Sequence, residues 1–264
     1  MFKNSPEIVA LIEQAANIVA LTGAGLSTAA GIPDFRGPQG IYMTRRYDPE
    51  KTFDIRGFKR DPKHFYEFAS DFTELLARIR PTFAHTFLAR LEAAGKLSAV
   101  VSQNIDMLHQ AAGSSHVIEL HGSLISATCC DCSKNYSPLD VTWWQQAMAA
   151  NSRTQVALCQ SCGGVIKPDI VFYGEQVRRY SEAEAAVKGC DLLLVLGTSL
   201  TVYPAALLPE ATTAPIIAVS QGPVALTPAK HHHIVNADLD EFCRNIAVHL
   251  TLEPVGLGKS MRKS

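Results

Sequence analysis

The chain has 264 residues, 47% of them hydrophobic and 19% charged, enough to bury the core of one large domain or of a domain with an insertion, and unlike a disordered chain. A formal net charge of −1 excludes the excess basicity of a dedicated nucleic-acid binder, and no apolar run approaches the ~20 residues of a membrane-spanning helix. The first residues read as an amphipathic helix and then a strand, without a signal-peptide pattern, so the expectation is a soluble cytoplasmic protein without membrane or direct nucleic-acid partners.

In chain order, residues 6–16 carry Ile8, Leu11, Ile12 and Ala15 on one helix face. A strand follows over 17–21 and runs into Gly23 and Gly25, which permit the tight turn and close backbone approach that seat a pyrophosphate. Thr28 stands where the usual dinucleotide fingerprint has its third glycine, so by itself this turn is as consistent with plain structure as with a cofactor. The cluster Pro33, Asp34, Phe35 and Arg36 directly after it has no obvious packing purpose. Residues 38–60, punctuated by Pro38, Gly40, Pro49 and Gly57, read as an irregular loop. Helical patterns return over 61–79, with a stripe of Phe65, Phe68, Phe72 and Leu76, and over 84–94, which Gly95 ends.

The second half repeats one theme. A strand at 97–101 leads into Ser102, Gln103, Asn104 and Asp106, and one at 117–120 delivers His121. The apolar run 191–196 precedes Gly197, Thr198 and Ser199, and the strand at 215–219 precedes Ser220. In open parallel α/β sheets ligands bind outside the carboxyl ends of the strands, so these motifs converge on one crevice. Helices over 181–188 and 238–250 supply cover for the sheet.

Seven cysteines suit no secreted disulfide framework, and four form two CxxC pairs, Cys129 with Cys132 and Cys159 with Cys162, separated by 26 residues. Two such knuckles make the closed tetrahedral thiolate site of one structural Zn2+, with no position open for water. Residues 122–167 therefore read as a zinc-binding insertion, with Trp143 and Trp144 packing its helix.

Taken together, GAGLSTAAGIPDFR, QNIDMLH, HGS, the paired CxxC motifs, KPDIVFYGE and GTSLTVYPA, in that order, resemble the sirtuin family of NAD-dependent protein deacylases across nearly the whole chain. The resemblance implies an α/β fold: a Rossmann-like parallel sheet from residues 1–37, 81–121 and 168–264, and a smaller lobe from a helical insertion at 38–80 and the zinc-binding insertion. The substrates are expected between them. It further implies that NAD is consumed as co-substrate while acetyl groups leave protein lysines, with release of nicotinamide and O-acyl-ADP-ribose.

By the same resemblance, Gly23, Ala24, Gly25, Ser27, Asp34 and Arg36 serve the dinucleotide, and Ile32, Phe35, Asn104, Ile105 and Asp106 form the nicotinamide pocket. Gln103 would hold the nicotinamide-side ribose, and Gly197, Thr198, Ser199 and Ser220 the adenosine side. His121 would be the general base, a role that imidazole suits near neutral pH, with Asn104 beside it as a catalytic residue. Val171, Phe172, Tyr173, Gly174 and Glu175 would flank an acylated-lysine peptide on one side, and Val202 and Tyr203 on the other, the peptide adding as a strand. Two departures matter. Ser220, at the end of what is expected to be the last strand, stands where many members have Asn, and Ala69 and Phe72 stand where desuccinylating members carry Tyr and Arg, which implies acetyl over succinyl. A protein mono-ADP-ribosyltransferase using the same NAD site is the alternative enzyme, and a non-catalytic binding module is a further one.

Overall fold

A computed structural model describes residues 6–34, 40, 44, 46–151, 155–250 and 252. Its strands are β1 (Ile18–Thr22), β2 (Leu97–Ser102), β3 (Val117–Glu119), β4 (Gly122–Cys129), β5 (Asn135–Tyr136), β6 (Ile166–Ile170), β7 (Leu192–Leu196), β8 (Ile216–Ser220) and β9 (His232–Asn236). The helices are α1 (Pro6–Gln14), α2 (Pro49–Phe53), α3 (Ile55–Arg60), α4 (Lys63–Leu76), α5 (Phe83–Ala93), α6 (Leu108–Ala111), α7 (Val141–Ala149), α8 (Tyr180–Gly189) and α9 (Leu239–Ala247). Among these residues the chain forms two compact units, one drawn from 1–32, 80–120 and 179–264, the other from 33–79 and 121–178.

The first unit is built on a six-stranded sheet in the order β3-β2-β1-β7-β8-β9, and every pairing within it is parallel. Parallel strands covered on both faces read as continuous apolar runs, and β1 and β7 are buried at all their residues. Side chains alternate between faces. Ile18 and Ala20 join Ile12, Phe87, Leu88 and Phe242 in one core, whereas Val19 and Leu21 join Val187, Ala205 and Leu208 in the other. The Asp191 carboxylate holds the entry to β1, accepting from the Ala16 and Asn17 amides at 2.8 and 3.0 Å. The strand order reverses between β1 and β7, which places the topological switch point there.

The second unit carries a three-stranded antiparallel sheet, β5-β4-β6, and helices α2, α3, α4 and α7. The aromatic stripe of α4 is core: Phe65 and Phe58 each pack 5.1 Å from the Phe172 ring, and the Tyr66 hydroxyl donates to the Ile166 carbonyl. Buried Trp144 donates its indole N–H to the Leu124 carbonyl at 2.7 Å.

Two expectations need correction. The stretch 38–60, expected to be irregular, contains α2 and α3 among its described residues. Asp48 caps the first, with Pro49 as its first helical residue, and Asp54 caps the second by accepting the Arg56 amide at 2.8 Å. The strand ending at Ser220 is not the last, because β9 pairs along its outer side. The run HHIVN is short and only Val235 in it is buried, as suits an edge strand without an unbroken apolar pattern. No helix among the described residues is long and apolar enough to cross a membrane.

Two histidines lie inside the first unit. His85 of α5 and His109 of α6 have ring centroids 4.8 Å apart. Burial lowers the His85 pKa to about 4; burial, then the neighbouring His85, holds His109 well below the ordinary value. Both are neutral in the folded protein at neutral pH, while the unfolded chain takes up their protons below an ordinary histidine pKa of about 6.5. Stability should therefore fall on acidification from about pH 6.5 towards pH 4, by up to ~1.4 kcal/mol per pH unit for each histidine. Burial raises the Asp106 pKa, so that carboxyl offsets part of the loss. Urea denaturation at pH 7 and pH 5 should show the drop, and His85→Asn should flatten it; equal slopes would reject this account.

Candidate active site and thiolate centre

Two turns meet at the switch point. After β1 the chain makes two short 3₁₀ turns, Ala24–Leu26 and Thr28–Ala30, and after β7 it turns at Gly197 with φ +65°. The Gly23 amide donates to the Leu196 carbonyl at 3.0 Å and the Gly25 amide to the Gly197 carbonyl at 2.9 Å. A Cβ on Gly23 would lie 2.7 Å from Thr198 Cβ, and one on Gly25 would lie 2.9 Å from Gly197 Cα. These glycines are thus required first for turn-on-turn packing. The Ala24 and Thr28 amides, each first in its turn, have no backbone acceptor among the described residues, as the opening residues of helical turns generally do not. Such N–H groups beside a glycine turn fit an anionic pyrophosphate.

A connected polar set lies beside this turn. The Ser27 hydroxyl donates to Asp106 Oδ2 at 2.6 Å and accepts from Asn104 Nδ2 at 3.2 Å. The same Asn104 nitrogen donates to the Gly23 carbonyl at 3.1 Å, which fixes the amide and keeps its Oδ1 as an acceptor. Asp106 also accepts the Leu108 amide at 2.9 Å; its carboxyl is buried, and this raises its pKa. Gln103 Nε2 reaches Thr198 Oγ1 at 3.2 Å. The structure therefore brings together Gly23, Gly25, Ser27, Gln103, Asn104, Asp106, Gly197 and Thr198.

Other expected residues are placed less tightly. Ile32 is buried, with its amide 3.3 Å from the Ser27 carbonyl, and Asp34 and Ile105 are half-buried. The Ser199 hydroxyl pairs with Thr201 at 2.8 Å, and Ser220 Oγ accepts the Gly222 amide at 3.2 Å. Tyr203 is 70% exposed and Val202 half-buried. Phe35 and Arg36 lie outside the described residues.

In the second unit His121 is half-buried and its carbonyl accepts the Val171 amide at 2.8 Å. Gly122 follows at φ +70° with the Asp169 carbonyl where its Cβ would be, so the chain can turn there only at glycine. The segment after β6 is already bonded. Tyr173 donates to the Phe53 carbonyl at 2.8 Å and accepts from Ile55 at 3.0 Å, while the Phe172 amide donates to Glu175 Oε2 at 2.9 Å. Glu175 pairs with Lys167 at 3.0 Å, and Gly174 turns at φ +91°.

The thiolate centre is compact. The Sγ atoms of Cys129, Cys132, Cys159 and Cys162 lie within 4.8 Å of one another, with Cys129 and Cys162 at 3.5 Å and Cys132 and Cys159 at 3.7 Å. A tetrahedron with Zn–S bonds of ~2.3 Å has S···S edges of about 3.8 Å, so the four fit one zinc ion. Gly163 turns the second knuckle at φ +77°, and the Tyr136 hydroxyl donates to Cys159 Sγ at 3.1 Å. Cys130 lies outside the cluster.

The chain as a whole is similar to known proteins. A model described as the Sir2 family matches residues 23–204. NAD-dependent protein deacetylase 1 of Pyrobaculum aerophilum is 45% identical over 77% of each chain, and NAD-dependent protein deacylase 2 of Archaeoglobus fulgidus is 42% identical over 75% of this chain and 76% of its own. Among solved structures, a Sir2 histidine-to-alanine variant with deacetylated p53 peptide and 3′-O-acetyl-ADP-ribose superposes with a TM-score of 0.84 at 37% identity, covering 94% of this chain and 98% of that one. A Sir2 complex with p53 peptide and NAD+ gives 0.81 at 37% identity, over 93% and 98%.

Elemental analysis should find one zinc per chain, and Cys159→Ser should lose it together with thermal stability. A zinc-free wild type with an unchanged melting temperature would contradict a structural role.

Proposed function

Because the chain belongs to the Sir2 family, we propose that it is an NAD-dependent protein lysine deacetylase whose NAD site is the polar set at the β1–β7 switch point. The observation that carries this reading is the linked Ser27, Asn104 and Asp106 network beside two interlocked glycine turns. NAD, held by Ser27, Gln103, Asn104 and Thr198, would supply an electrophilic ribose carbon with nicotinamide as its leaving group, so that acetyl-lysine, NAD and water give free lysine, nicotinamide and O-acetyl-ADP-ribose.

The chain's own part is orientation and proton handling. Asn104, with its amide nitrogen held by Gly23 and Ser27, offers a fixed Oδ1 to a ribose hydroxyl or water. Gln103, tied to Thr198, serves the nicotinamide-side ribose, and Ile32 and Ile105 supply an apolar wall. Ala24, Gly25, Gly197 and Thr198 serve the phosphate and adenosine side, together with Ser199 and Ser220. His121, whose backbone is fixed by Val171 and Gly122, is the general base. Phe35 and Arg36, outside the described residues, are assigned to the cofactor by the family resemblance alone.

The substrate is an acetylated lysine in a protein or peptide. Val171–Glu175 of the second unit and Val202 and Tyr203 of the first are its main-chain contacts in this reading; since both backbone groups of Tyr173 are committed to α2 and α3, pairing within that segment falls to its neighbours. Ala69 and Phe72 are both buried in the aromatic stripe, with Phe72 stacked on Phe68, and the neighbouring Arg46 is paired with Asp71. An acidic acyl group gains no cation from Ala69 or Phe72, which favours acetyl over succinyl. Four thiols kept reduced for a metal suit a cytoplasmic location.

Zinc-loaded protein incubated with NAD and matched acetyl- and succinyl-lysine peptides should release nicotinamide and deacetylated peptide together, with the acetyl peptide faster. His121→Ala should lower the rate at least ~100-fold, the usual scale for losing a general base. Label from NAD retained on protein instead would favour ADP-ribosyl transfer, and faster desuccinylation would overturn the acyl preference.

A further inference from the structure

Thr22, the last residue of β1, is fully buried, and its two oxygens are bonded to opposite ends of one segment. Its carbonyl accepts the Gln103 amide at 3.0 Å and Gln103 Nε2 at 3.4 Å, where the chain leaves β2. Its hydroxyl pairs with His109 Nε2 at 2.9 Å, where the chain has entered α6. Between these two points run Asn104, Ile105, Asp106 and Met107, with no helix or strand. Met107 turns at φ +61°, a conformation that a non-glycine residue keeps only when its surroundings over-determine it. The near half of the segment is held by the Asn104 amide on Ser102 Oγ at 3.1 Å, by the Asn104 side chain on Gly23 and Ser27, and by Ser27 and the Leu108 amide on Asp106; beyond Met107, His109–Thr22 is the side-chain bond that ties the far end to β1.

We propose that Thr22 and His109 are positioning residues for the NAD site, acting through the segment that carries Gln103, Asn104 and Asp106. The inference rests on the reading of those three residues as NAD ligands. His109 is suited to the task because it is held on both sides. Its ring packs against His85, which Thr82 fixes in turn through a contact of 2.8 Å to His85 Nδ1. At 2% exposure it stays neutral, so one nitrogen can donate to, or accept from, the hydroxyl. Thr22 is separately locked in the sheet by its register with Ser102 and Leu196. Thr22→Val keeps the shape and the strand, and removes the hydroxyl that makes the tether, leaving His109 Nε2 unpaired.

The test uses the full-length zinc-loaded chain with Thr22→Val, His109→Leu and the double variant, against Thr22→Ser and His109→Gln, which keep a hydroxyl and a nitrogen at the Nε2 position. NAD affinity is read by calorimetry, and KM for NAD and for an acetyl-lysine peptide by steady-state assay. Loss of a buried hydrogen bond that orders a ligand segment predicts about tenfold weaker NAD binding and higher KM for NAD in each disruptive variant, with peptide KM unchanged. The double variant should be no weaker than either single one, since both break the same bond, and the two conservative variants should restore affinity. Amide exchange should quicken over residues 103–108 in Thr22→Val and stay slow in β1 and β7. Unchanged NAD affinity in Thr22→Val, or additive losses in the double variant, overturns the inference while the function stands. A wild type that binds no NAD overturns both. Should His109→Leu fail to fold, the Thr22→Val and Thr22→Ser pair decides alone.

Discussion

The contact on which the first unit's site depends is the packing of one glycine turn against another. Gly25 donates to Gly197, and the left-handed turn at Gly197 leaves no room for side chains on Gly23 or Gly25. Strand order alone brings the carboxyl ends of β1 and β7 side by side, but it does not bring their loops into contact. Three missing Cβ atoms do. The close approach sets where Ser27 stands, and Ser27 links Asn104 to Asp106. A Cβ at Gly25, 2.9 Å from Gly197 Cα, would push the two turns apart.

That arrangement explains why the polar residues are so fully committed. A buried carboxyl is costly unless hydrogen bonds compensate it, and Asp106 receives one from Ser27 and one from Leu108. Burial still dominates its titration, so the group is expensive to keep charged. What it provides is order, because each partner leaves its neighbour with fewer free directions. Asn104 ends this chain of constraints with its amide nitrogen spent and its oxygen open, which suits recognition of a hydroxyl better than a flexible side chain would.

Much of this is legible in the sequence, because strands with polar or glycine residues at their ends are a local signal. β1, β2, β7 and β8 stand where their apolar runs put them, and the two CxxC pairs announce their cluster by spacing. What escapes is of three kinds. Helices α2 and α3 hide in a glycine- and proline-rich stretch, although Asp48 before Pro49 is a cap signal in plain view. Strand β9 is half-exposed, so its pattern is broken by histidines. The roles of Thr22 and His109 are invisible for a deeper reason: their contact spans 87 residues and depends on which way a buried hydroxyl and imidazole face. Even the glycines, read as marking a close approach to a pyrophosphate, meet another loop first.

The thiolate centre follows from the same physics under a different constraint. The second unit's sheet has three strands, one of only two residues, and such a sheet buries little apolar surface around its knuckles. Cys129 and Cys159 occupy buried places that aliphatic side chains would otherwise fill, while Cys132 and Cys162 come from exposed turns. A metal joining two inner and two outer ligands ties the surface turns to the sheet directly, which hydrophobic contact at exposed positions could not do. The first unit, with a core on each face of six strands, needs no such staple. A zinc that closes its own coordination shell with four sulfurs keeps no place for water, so its contribution is to the shape of the unit that carries His121 and the 171–175 segment, and the proton transfer we propose needs an imidazole rather than the metal.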